Sequence, residues 1–78
     1  MLLVRYYAGA RAAAGASEEK HAAGTLAELL SVISAGRPTL AAVLPACSFL
    51  VDGLAWHDPR APLADHTVVD VLPPFAGG

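Results

Sequence analysis

The stretch Thr67-Val68-Val69-Asp70-Val71-Leu72 predicts a β-strand in the interior of a sheet, and this prediction decides the fold of the 78-residue chain. The stretch is apolar at positions facing both sides of the sheet, except at Asp70. Near-continuous apolar runs of this length are typical of strands that have a neighbour on each side. We expect Asp70 to fix the strand register or to lie at the rim of the sheet, without a catalytic role.

Three other segments predict strands that could join this one in a sheet. Met1–Tyr7 is rich in apolar and aromatic residues and predicts the first strand. Cys47–Val51 and Leu54–His57 predict a hairpin, because the intervening Asp52-Gly53 suits a type I′ turn with positive φ. Ser17–Ala23 is a weaker strand without an apolar face, and we expect it at an exposed sheet edge.

The best-defined helix begins at Thr25, which forms a Thr-x-x-Glu capping box with Glu28. One face of this helix, at positions i, i+3, i+4 and i+7, consists of Leu26, Leu29, Leu30 and Ile33. Gly36 and Pro38 follow and predict its end. Shorter helical segments are predicted between Gly9 and Gly15 and from Pro38 to Pro45, the second with Leu40, Val43 and Leu44 turned inward.

These elements predict an α+β domain in which a mixed sheet of about five strands packs on one main helix. If the last strand is central, it lies beside the first strand and parallel to it, with the helix crossing over one face. That arrangement is the β-grasp, or ubiquitin-like, fold. We expect residues 1–72 to form this domain and residues 73–78 to form an extended C-terminal tail.

Composition and charge argue against several classes of function. The net charge of −2 offers no basic patch for nucleic acid and no cationic helix for a membrane surface. No apolar stretch approaches the roughly 20 residues that span a bilayer. The single cysteine, Cys47, cannot form an intrachain disulfide, and the N-terminal residues do not resemble a signal peptide. We therefore expect a cytoplasmic protein.

The side chains show no pattern of a self-contained active site. His21, His57 and His66 lie far apart without metal-ligand spacing, so we expect surface residues and no metal. Cys47 is expected to be a small core residue, although a sulfur relay is the alternative. We also expect no cofactor bound by this chain.

The last six residues, Pro73-Pro74-Phe75-Ala76-Gly77-Gly78, carry the strongest chemical signal. The prolines end the sheet and stiffen an extended arm that could reach roughly 19 Å at about 3.1 Å per residue. Because Gly77 and Gly78 lack side chains, the terminal carboxylate could enter a narrow channel. Phe75 is expected to anchor a partner, with packing against its own sheet as the alternative.

The chain resembles the small, sulfur-carrying subunit of molybdopterin synthase over essentially its whole length. The most specific part is Val71–Gly78, which is similar to the Pro-Pro-x-x-Gly-Gly terminus of that family. Further similarity lies in Val4–Ala8, Arg11, Gly15 and Phe49–Gly53. The Ala-rich segment Ser17–Gly24 departs from the family pattern.

This resemblance implies a mechanism in which Gly78 carries the reacting carboxylate. An E1-like adenylyltransferase/sulfurtransferase would use ATP to form an acyl-adenylate at Gly78, which a sulfur donor converts to a nucleophilic thiocarboxylate. The tail would then enter the large subunit of molybdopterin synthase and donate sulfur to a pyranopterin precursor of the molybdenum cofactor. The residues in contact with partners would be Ala76 and Gly77 in a channel and Pro73, Pro74 and Phe75 around it. Arg11 could pair with an acidic group on a partner, with a solvated arginine after the first strand as the alternative.

Other functions remain open on the sequence alone. A sulfur carrier for thiamine thiazole or another sulfur metabolite would have the same terminus, as would a ubiquitin-like modifier that forms isopeptide bonds with lysines. A plain binding module is the fourth candidate. In each case the surplus of apolar residues predicts an exposed hydrophobic sheet face, which we interpret as an interface with another protein, completed by the tail.

Overall fold

A computed structural model describes residues 1–74, which form five strands, three α-helices and one 3₁₀ turn. The strands are β1 (Leu2–Tyr6), β2 (Glu18–His21), β3 (Ser48–Val51), β4 (Leu54–Ala55) and β5 (Val68–Leu72). The helices are α1 (Ala8–Ala14), α2 (Leu26–Ser34) and α3 (Pro38–Val43), and the 3₁₀ turn at Leu44–Ala46 follows α3.

The sheet has the strand order β2-β1-β5-β3-β4, so β5 is its central strand. β5 pairs in parallel with β1 and antiparallel with β3. β2 forms one edge and pairs antiparallel with β1. The predictions of a central last strand, a parallel pairing with the first strand and a polar edge strand are confirmed, and the fold is the β-grasp.

The helices cover one side of this sheet, and the apolar residues between the two layers form the core. The largest fully buried side chains are Leu2, Val4, Tyr6, Leu29, Ile33, Leu40, Val69 and Val71. Of the predicted face of α2, Leu30 alone is half-buried, because it lies at the margin of the helix contact.

The start of α2 is capped nearly as predicted. The Glu28 backbone N–H donates to Thr25 Oγ1 at 3.2 Å, whereas the Glu28 carboxylate accepts from the Gly24 N–H at 3.2 Å. The second bond of a capping box would normally go to the N-cap residue itself. Both bonds still satisfy N–H groups that the first turn of the helix leaves without partners.

The Asp52-Gly53 turn is confirmed, since both residues have positive φ, at 48° and 83°. The return strand is shorter than predicted and ends at Ala55 instead of His57. Beyond Ala55 the Trp56 side chain packs against the core, and a loop follows in which Pro59 has no N–H to donate.

Two helix boundaries also differ from the predictions. Gly9 lies inside α1, which begins at Ala8 directly after the Tyr7 N-cap. Pro45 lies within the 3₁₀ turn that continues α3, because a proline near the start of a helical turn has no required N–H partner. No helix in the described part of the chain is long and apolar enough to cross a membrane.

Candidate functional site

The candidate site is the end of the sheet at which the chain leaves β5. Val71 aligns with Tyr6 of β1, and Leu72 aligns with Ser48 of β3, so two neighbouring strands flank the exit. The Tyr7 N–H donates to the Val71 carbonyl at 3.2 Å and extends the pairing to the end of β5. The exit is therefore held by strands on both sides.

The two prolines after β5 have different surroundings. Pro73 is buried, whereas Pro74 is exposed. Pro73 thus packs with the domain, and the part of the chain that is accessible to a partner begins at Pro74. The other predicted site residues of the tail, Phe75, Ala76, Gly77 and Gly78, lie outside the described residues.

Arg11 lies on the exposed side of α1, close to the same end of the sheet. Because β1 and β5 are parallel, the helix that follows β1 begins where β5 ends. Small residues surround Arg11 in a shallow groove of about 340 Å³, lined also by Ala8, Ala12, Gly15, Ala16 and Ser17. The structure thus brings Arg11 and Pro74 to one end of the domain.

Cys47 precedes β3, next to the exit, but its chemistry does not suit a sulfur relay. The thiol donates to the Val43 carbonyl at 3.3 Å and is half-buried. Burial raises the pKa of the Cys47 thiol, because removal from water penalises the thiolate. A protonated thiol is a poor nucleophile, which agrees with the expected role as a core residue.

The sheet face opposite the helices, here called the outer face, carries Leu3, Arg5, Leu50, Val68, Asp70 and Leu72, with the polar residues Glu18, Lys20 and Ser48 beside them. Asp70 lies at its centre with 5% of its surface exposed, and not at a rim. Arg5 donates a hydrogen bond to each oxygen of the Asp70 carboxylate, from Nε to Oδ1 at 2.6 Å and from Nη2 to Oδ2 at 3.1 Å. The buried carboxylate is tolerated at this position because the guanidinium fork pairs with it.

A second polar cluster, which sequence reasoning missed, lies on the helix side of the sheet. Glu19 of β2 accepts from Tyr6 Oη at 2.7 Å and from Arg37 Nη1 at 2.8 Å, and lies 3.0 Å from His21 Nε2. These bonds, the Arg37 bond first, lower the pKa of Glu19 to about 2. The cluster ties the edge strand to the loop before α3, and it makes His21 half-buried instead of a surface residue.

Only the strand spacing of Glu19 and His21 could have indicated this cluster, since residues two apart face the same side. Their partners are distant in the sequence and meet them only in the fold. In residues 1–74 no three His, Cys, Asp or Glu side chains form a group that could hold a metal ion.

The fold and the exit from its central strand define a ubiquitin-like protein of the β-grasp class. A family model described as the ThiS family matches residues 4–78. The chain therefore belongs to the ThiS family, within the ubiquitin-like MoaD/ThiS superfamily.

Several solved structures have the same fold. Small archaeal modifier protein 1 from Methanosarcina acetivorans matches with a TM-score of 0.87 and 21% identity over 99% of this chain and 95% of that one. A chain in the complex of subunits 1 and 2 of molybdopterin-converting factor from Helicobacter pylori matches with a TM-score of 0.75 and 25% identity. The match covers 99% of this chain and 97% of that one. A putative molybdopterin converting factor subunit 1 from Pyrococcus furiosus matches with a TM-score of 0.80 and 24% identity. The match covers 95% of this chain and 97% of that one. No curated protein sequence matches the chain.

Proposed function

We propose that the chain is the sulfur-carrying subunit of a molybdopterin synthase, with Gly78 as its reacting residue. The observation that carries this proposal is the exit of the chain from the central strand. Strands β1 and β3 flank the end of β5, Pro73 is buried, and Pro74 is exposed. The domain therefore presents Pro74 to solvent at the end of the sheet, and the last two of the residues that follow it in the sequence have no side chain.

The proposed chemistry begins at the Gly78 carboxylate, which is a poor electrophile because a nucleophile would add negative charge to an anion. A carboxylate oxygen attacks the α-phosphorus of ATP on an E1-like activating enzyme, and pyrophosphate leaves. Sulfide-level sulfur, supplied as hydrosulfide, then attacks the acyl carbon, a C–S bond forms, and AMP leaves with the electrons of the broken C–O bond. The resulting thiocarboxylate is ionised at neutral pH and acts as a nucleophile without a base from this chain.

The second partner in this proposal is the large subunit of the synthase. The matching fold in the Helicobacter pylori complex of subunits 1 and 2 supports a two-subunit assembly. In that assembly the tail would enter the large subunit, with Ala76 and Gly77 in a channel and Gly78 at the pyranopterin precursor. Arg11 and Pro74, at the same end of the domain, would contact the partner beside the channel entrance.

Two alternative functions each have a specific observation in their favour. The ThiS family model fits a sulfur carrier for a thiazole or another sulfur metabolite as well as it fits the molybdopterin carrier. The similarity to small archaeal modifier protein 1 favours a modifier joined to lysines through an isopeptide bond. All three functions begin with activation of the same C-terminal carboxylate.

An intact-mass measurement tests the proposed chemistry. The full chain is incubated with an activating enzyme, ATP and a sulfur donor, and exchange of one oxygen for sulfur is expected. The control is a chain without Gly77 and Gly78, which should not be loaded. An unchanged mass for the full chain would contradict a carrier function, and covalent adducts with other proteins would indicate a modifier.

A binding experiment then distinguishes the two carriers. The proposed function requires that the chain bind the large subunit of molybdopterin synthase from its own source. Capture of a thiazole-forming enzyme in its place would overturn the molybdopterin assignment but retain the sulfur carrier.

A further inference from the structure

We infer that β2 pairs with β2 of a second copy of this chain across a two-fold axis, so that Glu18 of each copy lies opposite Lys20 of the other. The pairing would join the sheets of the two copies into one continuous sheet. This inference rests on the backbone and the charges of β2 and does not depend on the proposed function. The pairing edge is separated from the exit of β5 by β1, so both tails stay free.

One side of β2 is unpaired within the part of the chain that the structure describes, because β2 is an edge strand bonded to β1. The Tyr6 N–H donates to the Ser17 carbonyl at 2.8 Å. Backbone bonding alternates along an antiparallel pair, so Ser17 and Glu19 bond towards β1. The N–H and C=O groups of Glu18 and Lys20 therefore point away from the sheet, where another strand can bond to them.

A two-fold axis restricts how two copies of β2 can align. An axis perpendicular to the sheet keeps the outer faces of both copies on the same side, so aligned residues must face the same side. Since side chains alternate along a strand, such residues are an even number of positions apart. The outward-pointing backbone groups then allow three registers, which place Glu18 opposite Glu18, Lys20 opposite Lys20, or Glu18 opposite Lys20.

The charges favour the third of these registers. Like charges directly opposite each other destabilise a strand pair, whereas the third register forms the Glu18–Lys20 pair twice. Both side chains are exposed and face the outer side of the sheet. Charged side chains usually keep an edge strand single, because an approaching strand does not match them. In β2, however, the order of the charges complements itself when the strand is reversed.

The same register aligns Glu19 with Glu19 of the second copy on the helix side of the sheet. Within its own copy, the Glu19 carboxylate accepts from Arg37 Nη1 at 2.8 Å and from Tyr6 Oη at 2.7 Å. Arg37 thus compensates this negative charge before the two strands meet. The aligned carboxylates therefore oppose the pairing less than two free carboxylates would.

Sedimentation equilibrium of the full chain over a range of concentrations tests the association. Because β2 has 4 residues, we expect a weak dimer, with a Kd of roughly 0.1–1 mM. Amide hydrogen exchange, followed by NMR, locates the contact. The outward-pointing amides of Glu18 and Lys20 should exchange more slowly as the concentration rises, whereas the Glu19 amide, bonded to β1, should not change.

Charge reversal tests the register. The variants E18K and K20E each place like charges opposite each other twice, and each should weaken the dimer at least about tenfold. The double variant E18K/K20E restores two pairs of opposite charge and keeps the net charge of the chain. Its Kd should lie within about threefold of the wild-type value. Circular dichroism should show the wild-type fold for all three variants, since both residues are exposed.

The matched control is R60E, which changes the net charge as K20E does but lies in the exposed loop after β4. Its Kd should remain within about threefold of the wild-type value.

A wild-type chain that stays monomeric at the upper end of the expected range would overturn the inference. So would a wild-type Kd for E18K and K20E, or a double variant as weak as the single variants. If the variants do not fold, the wild-type amides decide, and exchange at Glu18 and Lys20 that is independent of concentration would overturn the pairing.

Discussion

At the scale of single residues, Glu19 shows how tertiary contacts change the chemistry of a side chain. It lies in a polar edge strand, yet it accepts hydrogen bonds from Tyr6 and Arg37 and lies within bonding distance of His21. Its side chain is 16% exposed. A charged hydrogen-bond network of this kind stabilises the fold only while its carboxylate is ionised.

Glu19 should therefore make stability depend on pH in the acid range. Its pKa falls from the ordinary 4.5 to about 2 in the folded chain, so its contribution is complete above pH 4.5 and is lost as the pH falls towards 2. The contribution is on the order of 2–3 kcal/mol. Urea unfolding at a series of pH values measures this effect. Between pH 4.5 and 2, the free energy of unfolding should fall less for E19Q than for the wild type.

The neighbouring Glu18 provides the control for this prediction, since it lies on the same strand but faces the other side of the sheet. E18Q should retain the wild-type pH dependence. Identical pH profiles for E19Q and the wild type would show that the network contributes nothing to stability.

Two glycines should respond in opposite directions to substitution by alanine. Gly53 has a φ of +83° in the hairpin turn, so G53A should lower the free energy of unfolding by about 1–2 kcal/mol. Gly9 lies inside α1 with no atom within 4 Å of an added Cβ, so G9A should raise it by about 0.5–1 kcal/mol. Denaturant titration measures both changes, and a loss of stability in G9A would contradict the helical assignment at Gly9.

At the scale of secondary-structure elements, α2 joins the helix layer to the sheet. Leu29 of this helix is fully buried, whereas Val32 is 43% exposed. The apolar periodicity predicted which side of α2 faces the sheet, because a helix has a fixed residue repeat. The energetic importance of each position then depends on the packing around it.

Truncation of these two side chains should have very different effects. L29A should lower the free energy of unfolding by about 2–5 kcal/mol, since it leaves a cavity in the core. V32A, on the exposed side of the same helix, should change it by no more than about 0.5 kcal/mol. Thermal or urea unfolding, followed by circular dichroism, measures both changes. Equal losses of unfolding free energy in L29A and V32A would show that α2 packs in another orientation.

At the scale of the whole molecule, the parallel pairing of β1 with β5 brings distant parts of the chain together. This pairing places α1 and the exit of the tail at the same end of the domain. Among the described residues, the strand pairings of the sheet join residues between Leu2 and Leu72. We therefore expect the stability of the domain to be independent of the last two residues.

Removal of Gly77 and Gly78 should consequently separate stability from function. The truncated chain should unfold at the wild-type denaturant concentration, yet it should not be loaded with sulfur. Substitution of Gly78 by Val should likewise retain the fold and reduce loading by at least about tenfold, because a Cβ would clash in a narrow channel. Efficient loading of G78V, measured by intact mass, would contradict the proposed role of the two glycines.

The sequence by itself determined the elements and the layout of the sheet. The apolar run from Thr67 to Leu72 predicted a central strand, which the structure forms over Val68–Leu72, and Asp52-Gly53 predicted a type I′ turn. The face of Leu26, Leu29, Leu30 and Ile33 predicted the orientation of α2, in which Leu30 alone is half-buried. These features follow from local backbone preferences and from the spacing of apolar residues, which a single chain segment contains in full.

Only the tertiary structure decided how the polar side chains pair. Asp70 meets Arg5 across a parallel strand pair, and Glu19 meets Arg37 across two layers of the fold. The burial of Pro73 beside the exposed Pro74 was equally invisible in the sequence. Hydrogen bonds and burial depend on which residues the folded chain brings within a few ångströms, and residues far apart in sequence carry no local signal of that contact.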